Sequence, residues 1–199
     1  MPKQTLYFDD SEIGLDPQTS HPKFNALFQE EFYYDCTDEF SPFGNDDGAD
    51  TLYSLEDWYQ EKGNLKKPLE FLSELIEGIW GMEIKHLRLT DPVAIQQANQ
   101  ENPSLFDIMD RALIATAFGQ LKIEGKLNLA LKELAFIALL RQKLLTQQQL
   151  QQSGTDLRKL LKIVDSQSTQ PDEHGLMNHI FQRYLQRLDQ MESDLKQVE

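Results

Sequence analysis

The stretch that decides the fold runs from Ser104 to Leu145 and reads SLFDIMDRALIATAFGQLKIEGKLNLALKELAFIALLRQKLL. Ala112 to Gly119 carries no charge, and Leu127 to Leu145 is apolar around most of a helical circumference. A helix that is apolar all round belongs inside a protein, because no side of it gains from facing water. Gly125 separates the two blocks and reads as the hinge of a helical hairpin, since glycine closes helices at no steric cost. These two helices are expected at the centre of the core. Ser104 and Asp107 ahead of the first block are spaced like a capping box.

Upstream, residues 1–20 read as irregular, with a short extended piece at Thr5 to Phe8 and turn formers Gly14, Asp16 and Pro17. Ser20 and Pro22 predict a short helix ending near Glu31. Phe32 to Phe43 (FYYDCTDEFSPF) predicts a strand-like segment entering an ordered loop, and Gly44 to Gly48 a tight turn. Leu52, Leu55, Trp58 and Tyr59 then recur at helical spacing, with Asp47 and Asp50 in the first turn, where a helix favours carboxylates. A further helix is expected from Lys67 to Ile79 with Pro68 in its first turn, and a short one after Asp91-Pro92.

Downstream, Gln147 to Gln152 reads as solvated helix surface, Ser153-Gly154 as a break, and Thr155-Asp156 as a restart through Leu157, Leu160, Leu161 and Val164. Residues 166–171 read as a linker. Met177, Phe181, Tyr184, Leu188, Met191, Leu195 and Val198 follow at steps of four and three, a heptad stripe that suits docking on the chain's own bundle or a homodimer through Met177–Val198. The predicted class is mainly α: a helical bundle with a small irregular or β-ribbon N-terminal part. Residues 1–170 are expected to form one globular domain and 171–199 a C-terminal heptad-patterned helix.

The formal net charge is −14, and its distribution is uneven. Residues 1–63 hold fifteen acids against Lys3, Lys23 and Lys62, and the remainder is nearly balanced. Such a surface repels phosphate backbones and anionic lipid, so nucleic acid and membrane are poor partners and a basic protein is the better one. No apolar run reaches the roughly 20 residues of a membrane span, and the chain is expected in the cytoplasm. The single cysteine, Cys36, forms no internal disulfide and reads as a small buried or half-buried hydrophobe.

Chemistry-bearing motifs are sparse. The four histidines lack the spacing that seats two imidazoles on one zinc, and no glycine-rich phosphate loop or GxSxG elbow occurs. No cofactor and no catalytic residue are expected. The densest oxygen donors are Asp35, Asp38, Glu39, Asn45, Asp46, Asp47 and Asp50, of which Asp35, Asp38, Asp46 and Asp47 are weak cation candidates. An EF-hand register counted from Asn45 fails, because Asp50 stands where glycine is required. Acids and aromatic rings share this stretch, a composition suited to an interface in which rings supply area and charges steer. Asp46, Asp47, Asp50, Tyr33, Tyr34 and Phe43 are the partner-binding candidates, for an adaptor or an immunity-type inhibitor. An enzyme or divalent-cation protein using the Asp35–Asp50 carboxylates is the alternative.

The string SPFGNDDGADTL at 41–52, with Glu56-Asp57-Trp58-Tyr59, Glu12-Ile13-Gly14 and His21-Pro22, resembles the bacterial YfeS-like family. The resemblance covers roughly the first sixty residues. It implies a bacterial cytosolic protein, favours a specific role for the GNDDGAD segment, and brings no catalytic residues with it.

Overall fold

A computed structural model of the chain describes residues 5–62, 67–161 and 173–198, without the side chains of 62, 152–161 and 173–176. Within these residues it holds seven α-helices and no strand: α1 Pro22–Leu27, α2 Asp46–Lys62, α3 Pro68–Ser73, α4 Pro92–Glu101, α5 Leu105–Glu124, α6 Leu129–Leu161 and α7 Glu173–Lys196. The mainly α expectation holds.

Helix α5 is the axis of the molecule. Its residues from Ala112 to Glu124 are all buried, because α2 and α6 flank it while α1, α3 and α4 close the remaining sides. Gly125 ends it in the left-handed region at φ 65°, and a side chain there would also collide with the His21 ring. The hairpin of α5 and α6 is therefore as the apolar blocks predict. Helix α6 is less enclosed than its composition suggests, with Leu129 and Leu140 facing solvent. It also runs unbroken through Ser153-Gly154. One interior glycine costs a helix only about 1 kcal/mol, too little to stop it alone.

At the front of the chain the irregular part holds and the strand does not. Residues 5–21 form an irregular arm, as expected, with a turn between Asp10 and Gly14 and a 3-10 turn at Pro17–Thr19, and it is held on the end of α5 by Tyr7 N donating to Ile123 O (3.1 Å) and His21 N to Lys122 O (2.8 Å). The cap of α1 is His21, whose Nδ1 accepts from Lys23 N, while the Ser20 hydroxyl is buried on Asp16 O. This helix ends at Leu27, short of Glu31. Phe32 to Phe43 is not strand-like. Asp35 Oδ1 accepts from Thr37 N at 2.8 Å and Asp38 Oδ1 from Phe40 N at 3.1 Å, side-chain turns that satisfy the backbone locally and remove the need for a neighbouring strand. The β-ribbon reduces to one isolated bridge between Asp10 and Gly14. Cys36 is exposed, contrary to its reading as a buried hydrophobe.

Behind α2, the helix begun at Pro68 widens into a π-helical stretch over Glu74–Ile79, and Gly81 follows at φ 65°. Asp91 caps α4 through Ala94 N, whereas the Ser104 side chain makes no cap on α5, so the predicted box does not form. Helix α7 lies along α6, and Leu188, Met191 and Leu195, with Val198 just beyond its end, are buried in the chain's own core. Earlier in the same stripe Met177 is exposed and Phe181 and Tyr184 are half-buried. Leu157, Leu160 and Leu161 have no described side chains, and Val164 and the 166–171 linker lie outside the described residues.

Candidate functional site

The acidic segment is organised by Asn45. Its Nδ2 donates to Ser41 O (3.2 Å) and Glu39 O (3.4 Å), and its Oδ1 accepts from Gly48 N (2.9 Å). One buried carboxamide thus closes the preceding loop and caps α2 at once. Gly44 sits where any side chain would strike the Asp38 carbonyl, so the loop closes only around glycine at that position. Gly44 to Gly48 is therefore a loop end running directly into a helix that starts at Asp46, and not a separate tight turn.

The aspartates of this segment go different ways. Asp46 and Asp50 are exposed. Asp47 is half-buried, its Oδ2 3.9 Å from Arg111 Nη1, and burial raises its carboxyl above the usual range against the pull of that guanidinium. Asp38 is buried and pairs with Arg183 (2.9 Å) and Arg187 (3.4 Å) of α7. Asp35 is turned onto Thr37, whose hydroxyl and N–H hold its carboxyl below the usual range. These acids do not converge: among the described residues no three His, Cys, Asp or Glu side chains gather as a metal site.

The aromatic candidates divide in the same way. Tyr33 and Phe43 are buried and present nothing to a partner. The Tyr33 hydroxyl donates to Asp194 Oδ2 at 2.7 Å, and burial is the main reason its pKa rises. Tyr34 is half-buried, bonded to Asn25 Oδ1 at 2.9 Å, with burial pushing its hydroxyl up to about 12. Both tyrosines belong to a cluster with Phe24, Phe28 and Phe118, which sequence composition could not separate from a surface.

The ring that does face out is Tyr53, 70% exposed. It lies on α2 in line with Asp46, Asp50, Asp57 and Glu61, all exposed and separated by helical steps of four, three, four and four. The stripe spans about 22 Å at 1.5 Å per residue. Leu52, Leu55, Trp58 and Tyr59 occupy the opposite face, buried toward α5. The signal for Tyr53 was present in that spacing, since the buried set and the acidic set interleave as the two faces of one helix.

No family model matches the chain, and no solved structure does. The chain is 38% identical over 170 residues to the "Uncharacterized protein YfeS" of Escherichia coli (strain K12), a match covering 84% of this chain and 68% of that one. Such a match reaches well past the first sixty residues and takes in most of the helical body. The chain therefore belongs to the YfeS-like family.

Proposed function

We propose that this chain is a non-catalytic protein-interaction module that docks a basic partner on the outer face of α2, in the manner of an adaptor or an immunity-type inhibitor. The observation that carries the reading is the placement of Tyr53, an exposed ring in the middle of an exposed stripe of carboxylates. A ring of that kind supplies contact area at low entropic cost, while the surrounding charge steers a Lys- or Arg-rich surface toward it. Asp46 and Asp50 form the amino-terminal end of the face, and Asp47 stands beside them at the Arg111 boundary.

The test compares wild type, the Asp46→Asn/Asp47→Asn/Asp50→Asn variant and Tyr53→Ala in quantitative capture from bacterial lysate at low and moderate salt. A basic protein enriched by wild type and lost with either variant or with salt supports the reading. Equal recovery by all three folded proteins overturns it.

A further inference from the structure

A concave feature borders the α2 face at Arg111, which stands 3.9 Å from Asp47. A cleft of about 250 Å³ opens where α4, α5, α6 and α7 meet the loop around Phe40. It is too small for a nucleotide, since pockets for drug-sized ligands occupy roughly 300–1,000 Å³. Its floor is rigid. Gln142 donates from Nε2 to Phe106 O and Asp110 Oδ2, both at 3.0 Å, and accepts from the Tyr184 hydroxyl at 3.1 Å. The Thr146 hydroxyl is tied to Gln142 O at 2.7 Å. One wall is the Phe40 ring stacked on Tyr184, centroids 4.9 Å apart. Leu145, Ile180 and Phe181 add apolar lining.

The polar lining carries one charge of each sign. Arg111 Nε forms an ion pair with Asp107 Oδ1 at 3.1 Å. Among the described residues the terminal nitrogens of Arg111 make no hydrogen bond, the Asp47 carboxylate standing 3.9 Å away from Nη1. The second oxygen of Asp107 and the side-chain amides of Asn99 and Gln149 likewise have no hydrogen-bond partner among the described residues. The guanidinium nitrogens and the carboxylate oxygen that the partly exposed Arg111–Asp107 ion pair leaves unused match a carboxylate and an ammonium carried by one small molecule, because a bidentate Arg contact and a charge-assisted Asp contact are each stronger than neutral bonds. The apolar lining then takes the remaining part of that molecule.

We infer that this cleft binds a free zwitterionic α-amino acid with a large apolar side chain, its carboxylate on Arg111, its ammonium on Asp107, and its side chain against Leu145, Ile180 and Phe181.

The experiment measures melting temperature and isothermal titration of the full chain with free leucine, methionine and phenylalanine, and with the N-acetyl amide of each, which has the same side chain and no charge. The free amino acids should raise the melting temperature and their blocked amides should not. Arg111→Met should weaken binding by roughly tenfold or more, and Asp107→Asn, at a half-exposed position, should weaken it in the same direction. Absence of binding to wild type at about 10 mM, where even a weak millimolar complex is populated, overturns the inference. So does equal binding of the blocked amides, or undiminished binding by a folded Asp107→Asn protein.

Discussion

Lys122, wholly buried on the last turns of α5, places its ammonium 2.7 Å from Glu56 Oε1 of α2. The same ammonium lies 2.8 Å from Asp9, whose backbone N–H donates to Glu56 at 3.1 Å. One lysine therefore joins the arm, α2 and α5. Removing a single member of a buried ion set leaves the others desolvated and unpaired, at a cost of about 3–5 kcal/mol. Lys122→Met should lose stability of that order in urea denaturation, and Glu56→Gln introduced with it should recover part of the loss.

Asn45 and its acidic neighbours should separate cleanly. Asn45→Ala removes the α2 cap, worth about 1 kcal/mol, and leaves the Ser41 carbonyl without its Asn45 donor, worth about 1–3 kcal/mol more. Asp46→Asn and Asp50→Asn, both exposed, should stay within about 0.5 kcal/mol of wild type. Denaturation curves of the three variants check this. They also separate a binding defect at Asp46 or Asp50 from a folding defect.

Asp110 predicts a pH dependence. It is wholly buried beside Arg141, whose Nε donates to its carboxylate at 3.0–3.1 Å, yet burial outweighs this pairing and pushes the carboxyl up to about 6 from 3.8. With the folded value above the unfolded one, the folded chain holds the extra proton between those limits. This group's contribution to stability is therefore greatest below pH 4 and declines as pH rises toward 6. Glu56 and Asp47, also raised by burial, act in the same sense. Glu192, held low by Lys143 and Lys196, opposes them. Denaturation between pH 4.5 and 7 should show a smaller stability increase on acidification in Asp110→Asn than in wild type.

Helix α7 should be indispensable to the chain's core. Leu188 is fully buried, and Leu188→Ala should cost about 2–5 kcal/mol. A chain ending at residue 170 would strip the apolar cover from α6 and leave Asp38 without its arginine partners. Light scattering should find it aggregated or unfolded. A well-folded monomer would instead mean that α7 is dispensable to this core.

Much of the helical frame was legible in the chain itself. The uncharged run from Ala112 to Gly119, Gly125 at the hinge, and Pro68 and Pro92 at helix starts are local signals, because backbone propensity and apolar periodicity act within a few residues. Facing was not local. Tyr33 and Tyr53 are the same residue type in the same acidic third, yet one bonds Asp194 in the interior and the other stands in solvent. Asp38 and Asp46 divide likewise, the first neutralised by two arginines 145 and 149 residues away, the second left open. Sequence determined the helices and the acidic character of the front. Tertiary structure decided which acids and rings remain for a partner, because burial and ion pairing depend on groups brought together from distant parts of the chain.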